Sequence, residues 1–370
     1  MASIPTPIIF DILVRLPIKP LARFKSLNKL CRSFIKDPHF IYTHLKNSTA
    51  SKVNDLCLIL SCVGLRNLNG IIHFLTVRAD IDEQAVVEFS APVSLDSYQV
   101  LPSCNGLVCF YGLHGCVHVC NPSTKDIVRL PDIDAEGFRS LSCGFGFDEM
   151  SGKYKVIKFF EPLEANPFVD NLNRIEIFTM GNDSWRTIRY HSCFRFLHYQ
   201  PPVFAGGFFY WINAADSNPD GPSSFSIVSF DIGNEIFEAI SPPESISKKN
   251  WFNLYLVELR GKPCLVDLDY ELDEDRKRMD IWIFKSNVVE KKEHWVKETI
   301  VHQSEPIDST RPVAFVNGEE ILLHGFIKGL GHLNSYNLQT GCFRQLKIKG
   351  IPSQYCYTSN HVESLFPVDH

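Results

Sequence analysis

Ser229-Phe230-Asp231-Ile232-Gly233-Asn234-Glu235-Ile236-Phe237-Glu238 reads as a strand, a tight turn at Ile232-Gly233 and a returning strand, with an aromatic ring on each side of the turn. The same arrangement recurs in Ile177-Phe178…Trp185-Arg186, Trp282-Ile283-Phe284…Trp295-Val296 and Ser335-Tyr336-Asn337…Phe343-Arg344. An aromatic facing an aromatic across neighbouring strands is what a repeated core requires. Turns of this set, at Thr124-Lys125, Met180-Gly181, Ile232-Gly233, Lys285-Ser286 and Thr340-Gly341, lie 56, 52, 53 and 55 residues apart.

A second set of turns interleaves with the first, at Asn105-Gly106, Ser151-Gly152, Gly206-Gly207, Arg260-Gly261 and Asn317-Gly318, spaced 46, 55, 54 and 57 residues apart. Each unit therefore holds two hairpins, or four strands. Units of this kind predict a kelch-like β-propeller over residues 53–370, because radial closure protects the strand edges. Apolar runs at 56–60, 71–75 and 86–89 supply three further strands, and the C-terminal tail can add a fourth. The expectation is about six four-stranded blades, the first closed by the C-terminus.

Ahead of the repeat, residues 1–47 change period. Thr6-Pro7 is a helix start, with a hydroxyl to cap free amides and proline at the first position, where no N–H is needed. Ile8, Ile9, Ile12, Leu13 and Leu16 then fall on one stripe, and Pro17 ends it. A second start at Pro20 carries Leu21, Phe24 and Leu27. Asn28 opens a third helix with Leu30, Cys31, Phe34 and Ile35, and Asp37-Pro38 opens a fourth with Phe40, Ile41 and Leu45. So small an all-α module cannot bury this many large apolar side chains by itself. Part of the stripe must meet another protein or the large domain.

Charge separates the two regions. Residues 1–52 carry nine Lys/Arg against two Asp, within a chain of 37 Lys/Arg and 42 Asp/Glu, so a basic head precedes an acidic body. A basic head suits nucleic acid or an acidic protein partner; the apolar stripe favours the protein. The apolar run 56–65 is too short for a membrane span, and Pro5, Pro7 and Asp11 interrupt any signal-peptide core. A cytosolic or nuclear protein is expected, its twelve cysteines free thiols.

Ile4-Pro5, then Ile8 through Phe24 with its Leu16-Pro17 and Leu21-Ala22-Arg23-Phe24 steps, then Asn28 through Ile35 and Asp37-Pro38-His39-Phe40, resembles the F-box motif in its plant form. The sequence departs from that motif at Ile4-Pro5 for Leu-Pro, Asp11 for Glu and Cys31 for Trp. The body resembles the F-box-associated domain, type 1, of the same plant proteins, in Asn121-Pro122-Ser123-Thr124 and Gly144-Phe145-Gly146-Phe147-Asp148. The resemblance implies the substrate-recognition subunit of an SCF ubiquitin ligase. It implies a non-catalytic chain without cofactor, which holds the acidic Skp1-type adaptor through Ile4, Pro5, Ile8, Ile9, Ile12, Leu13, Leu16, Leu21 and Phe24. The propeller would hold a target protein, and no membrane or nucleic-acid partner is implied. A propeller scaffold or lectin-like binder outside any ligase is the alternative, and Cys31 in place of Trp makes it more credible.

Other constellations carry less. His114, Cys116, His118 and Cys120 alternate along one predicted strand, where same-face neighbours stand about 6.5 to 7 Å apart. They cannot converge, together with Cys104 and Cys109, on a tetrahedral zinc ion with bonds of about 2.0 to 2.3 Å. The acidic run Asp267, Asp269, Glu271, Asp273, Glu274, Asp275 lacks the glycine of a calcium loop, having Leu272 instead. No phosphate loop, nucleophile elbow or metalloprotease motif nominates a catalytic residue. Strand parity puts both hairpin turns of each blade on one face and the longer connections, 161–173, 190–202 and 241–251 among them, on the other. Phe168, Phe194, Phe196, Tyr199, Trp251 and Phe252 in these connections suit a target-binding surface, or pack down between blades.

Overall fold

The computed structural model describes residues 5–24, 29–51, 57–63, 71–78, 86–92, 98–112, 116–163, 173–190, 194–196, 200–214, 225–247, 253–269, 277–287, 292–303, 308–316, 318–327, 330–346 and 356–368. Four helices lead: α1 (Thr6–Leu13), α2 (Ile18–Phe24), α3 (Lys29–Lys36) and α4 (Pro38–Ser51), the last running beyond residue 47. Thr6 lies inside the first turn of α1 instead of capping it, and Pro5 takes the cap position without a side-chain bond. Asp37 does cap, accepting the Phe40 N–H at 3.1 Å.

The strands are β1 (Cys57–Val63), β2 (Ile71–Arg78) and β3 (Val86–Pro92); β4 (Tyr98–Val100), β5 (Val108–Gly112), β6 (Val117–Asn121) and β7 (Asp126–Arg129); β8 (Phe138–Asp148), β9 (Lys153–Pro162), β10 (Arg174–Thr179) and β11 (Arg186–Ile188). They continue as β12 (Val203–Ala205), β13 (Phe208–Ala214), β14 (Phe225–Asp231) and β15 (Ile236–Ile240); β16 (Leu254–Leu259), β17 (Lys262–Asp269), β18 (Lys277–Asn287) and β19 (Lys292–Gln303). The last are β20 (Asp308–Val316), β21 (Glu320–Ile327), β22 (Leu330–Asn337), β23 (Phe343–Leu346) and β24 (Cys356–Asn360). Five antiparallel sheets each use four consecutive strands. The remaining sheet is composite, in the order β24-β1-β2-β3, with β24 laid along β1 from Leu58↔Asn360 to Cys62↔Cys356. The expected six-fold repeat thus resolves into five contiguous blades and one sheet joined through the C-terminal strand. The first strands of neighbouring blades meet at the hub, β8 with β12, β12 with β16, β16 with β20 and β20 with β24.

The recurring turn has a local cause. Asn121, Asp148, Asp231 and Asn337 each accept two backbone N–H groups, two and three residues on, through one side-chain oxygen. The carbonyl of the same residue takes a third N–H, from the residue four on, at 2.8 to 2.9 Å. That fourth residue has a positive φ: Lys125 67°, Gly152 70°, Glu235 61° and Gly341 69°. An Asx side chain thus substitutes for the missing ladder bonds and makes the reversal reproducible without demanding glycine each time.

Gly144-Phe145-Gly146-Phe147 explains itself through alternation along β8. Phe145 and Phe147 face the β4–β7 blade and join the core of Leu107, Cys109, Tyr111 and Val119. The glycines face the β12–β15 blade, where the Phe204 ring lies 2.6 Å from the place a Cβ on Gly146 would occupy, and Phe209 3.1 Å from that of Gly144. Backbone and ring can approach this closely only because the side chain is missing. Gly146→Ala should cost about 1 to 3 kcal/mol of stability, read by denaturant unfolding. Phe204→Leu in the same chain should return part of that loss.

Candidate functional site

Within the helical module Leu13, Val14, Ile18, Leu21, Cys31, Ile35, Phe40 and Ile41 form a buried core. Phe10 meets Phe34 and Phe40 edge-on at 5.7 and 5.3 Å, and His44, itself buried, sits 2.8 Å from the Leu16 carbonyl through Nε2. These rings supply the bulk of a core in which position 31 holds only a cysteine. Leu13 and Leu21, expected to touch a partner, are instead this interior, at 4% and 0% exposure. Ile9, Leu16 and Phe24 are half-buried against it. Ile8 and Ile12 point away at 49% and 51% exposure, beside an exposed Pro5. Ile4 lies outside the described residues. An i, i+4 pair of isoleucines facing water from a helix whose other side is filled is an unpartnered apolar stripe.

The module is tied to the propeller by the C-terminal tail, residues 361–368. Leu365 joins the helical core, Val368 joins the core between the β4–β7 and β8–β11 blades, and Phe366 packs on both. Asn121 holds the crossing: its Oδ1 caps the turn after β6 while its Nδ2 donates to the Ser364 and Phe366 carbonyls at 3.0 and 2.8 Å. Beside the tail, a cleft of about 880 Å³ separates Ile18, Ile35 and Ile41 from Ile127 and Val128. The helices therefore attach at the hairpin-turn side of the propeller. Nothing in the local pattern signals this seam, because its partners stand more than 240 positions apart.

The rings expected on the opposite, long-connection side separate into two groups. Phe194 and Phe196 are 5% and 4% exposed and build the core between the β8–β11 and β12–β15 blades. Phe196 contacts Phe159 at 4.9 Å and Trp211 at 5.1 Å. Aromatic burial outweighs display at these two positions, so they are corrected from surface to core. Phe168, Tyr199, Trp251 and Phe252 lie outside the described residues.

The cysteine and histidine run is divided among cores in the same way. Cys109 and Cys120 are fully buried, and His118 stacks on Phe110 at 5.0 Å; His114 lies outside the described residues. Burial pushes the Cys104 thiol up to about 12, against a lesser opposing hydrogen bond with the Phe147 backbone, which makes it an inert apolar filler. Of the acidic run, Asp267 stands opposite Asp280 across β17 and β18, and Lys297 pairs with Asp280 at 2.7 Å. Residues 270–276 fall outside the described residues.

Known proteins match both regions. The F-box domain model matches residues 1–43, and the model described as F-box associated beta propeller domain matches residues 60–370. The latter is the third F-box-associated type, which corrects the type 1 expectation. The chain is similar to F-box protein CPR1 of Arabidopsis thaliana, 27% identical, with 96% of this chain and 87% of that protein covered. It is equally similar to F-box protein At4g19940 of the same plant, 27% identical over 95% of this chain and 87% of that one. Among solved structures, TolB from Acinetobacter baumannii aligns at 12% identity and a TM-score of 0.47, over 87% of this chain and 72% of that one. Because the propeller model takes in most of the chain and the F-box model the helices before it, this protein belongs to the F-box proteins that carry an F-box-associated β-propeller.

Proposed function

We propose that this chain is the substrate-recognition subunit of an SCF ubiquitin ligase, holding a Skp1-type adaptor by its helices and a target protein by its propeller. The observation that carries the reading is the outward pair Ile8 and Ile12, half exposed on a helix whose inner residues are already packed. With Pro5 they offer an acidic adaptor an apolar ridge, set in a head rich in Lys and Arg. Ubiquitin transfer belongs to other subunits; this chain contributes proximity and geometry. The helices and tail occupy the hairpin-turn side at the β4–β7 blade, which leaves the long-connection face for the target. Residues 168, 199, 251 and 252 remain its aromatic candidates. The assembly would act in the cytosol or nucleus.

Calorimetric titration of the purified chain with a Skp1-type adaptor tests this. Ile8→Asp and Ile12→Asp should each weaken binding at least about tenfold while leaving the unfolding midpoint unchanged, since neither side chain supports the core. Leu13→Asp should unfold the module and serves as the contrast. Undiminished binding by both exposed-site variants would sink the assignment.

A further inference from the structure

The first strands of the blades enclose a cavity of about 260 Å³ at the hub, reached from the side of the hairpin turns, with Gly206 and Gly261 at its edge. Its volume is that of roughly nine waters. Phe145, Phe204, Leu256 and Ala314 give it apolar walls. Ser359 and Asn360, at the end of β24, form a polar sector. The Asn360 amide is spent on the Phe315 carbonyl, and the Ser359 Oγ accepts the Ser103 N–H at 3.2 Å, which leaves the Ser359 hydroxyl proton to donate.

Among the described residues, one charge lines this space. Glu258, on β16, accepts the Gly261 N–H through Oε1, and no described lysine, arginine or histidine pairs with it. Arg260, two residues along, turns instead to the Gly318 carbonyl at 2.7 Å. Withdrawal from water raises the Glu258 pKa, and the single Gly261 bond only partly offsets that. A half-buried carboxylate beside apolar walls gains from a cation or from further donors. Among the described residues no counter-charge pairs with it, next to an apolar chamber of small-molecule size.

We infer that the hub cavity is a binding site for a small amphipathic amine, with the ammonium on Glu258 and the Ser359–Asn360 sector beside it. The apolar body of the ligand lies against Phe145, Phe204 and Leu256. This site is separate from the adaptor ridge on α1 and does not depend on ligase assembly.

Phenethylamine and its neutral counterpart 2-phenylethanol are the probes, titrated into the full-length chain and followed by saturation-transfer NMR and calorimetry. The amine should bind at least about tenfold more tightly than the alcohol, the increment of one charge-assisted contact. Glu258→Gln, which keeps an acceptor for the Gly261 N–H, should remove that preference and leave alcohol binding within about twofold. Val313→Phe, filling the cavity from β20, should abolish binding of both probes, with thermal unfolding confirming that each variant is folded. Three results would overturn the proposal: no binding of the amine to the wild type, an amine preference that survives Glu258→Gln, or binding that survives a folded Val313→Phe.

Discussion

Lys155→Met should destabilise the propeller by about 3 to 5 kcal/mol, the largest loss expected from one side chain. Lys155 reaches from β9 across the seam to the β12–β15 blade, where its ammonium donates to the Ile232 carbonyl at 2.8 Å and pairs with Glu235 at 3.3 Å. On its own blade it pairs with Asp148 at 2.9 Å, both side chains being at most 10% exposed. Methionine preserves the stem and its packing, so the loss measures the charge. What remains behind is a buried Asp148 without its cation. Asp148→Asn in the same chain should recover about 1 kcal/mol or more, because asparagine still caps the Met150 and Ser151 N–H groups through Oδ1.

Acid should reproduce part of this effect in the wild type. Burial alone would raise the Asp148 carboxyl, but hydrogen bonds from Ser151, Lys155 and the Met150 N–H, with the Lys155 charge, outweigh it and hold the group below its ordinary 3.8. A depressed folded pKa contributes stability that is present above the unfolded pKa and is lost as pH falls through the folded one. The wild type should therefore lose this increment below about pH 4, and Lys155→Met should show a flatter profile there. Denaturant midpoints at neutral pH and across the acid range measure both.

These residues mark how far the sequence could be read. Turn chemistry is local, so turn pairs such as Ser151-Gly152, Ile232-Gly233 and Thr340-Gly341 were legible and their spacing announced the blades, whereas the Asx side chains that build these reversals emerged only with the structure. The α1 stripe was legible as apolar, but its two sides were not. Leu13 and Ile12 are chain neighbours of similar character, and only the packing of α2, α3 and α4 turns one inward and leaves the other in water. Phe194 and Phe196 failed as surface candidates for the same reason, because a ring in a connection is placed by the core it can reach. Glu258 gave no sequence signal: its distinction is that no cation among the described residues pairs with it, which depends on how the inner strands come together. Gly144 and Gly146 were visible as a motif, yet their purpose lay in two rings about 60 positions away.

Asn121→Asp should cost about 3 kcal/mol and, more tellingly, release the tail from the propeller. The replacement is isosteric and keeps the oxygen that caps Ser123 and Thr124, so the turn itself is spared. It removes both donors to the Ser364 and Phe366 carbonyls and sets a carboxylate against those oxygens at a fully buried position. Asp231→Asn, the reverse exchange at the equivalent turn, should change stability by no more than about 0.5 kcal/mol, since the side-chain bonds of Asp231 to described residues all stay within its own turn, to Gly233 and Asn234. Hydrogen exchange should then show residues 361–368 and the α2 to α4 helices losing protection together in Asn121→Asp, with the β12–β19 blades unaffected. Leu365 and Phe366 belong at once to the tail and to the helical core, so a tail freed at Asn121 loosens the helical module. Unchanged protection of the helices alongside a deprotected tail would show that the module holds its place without this seam.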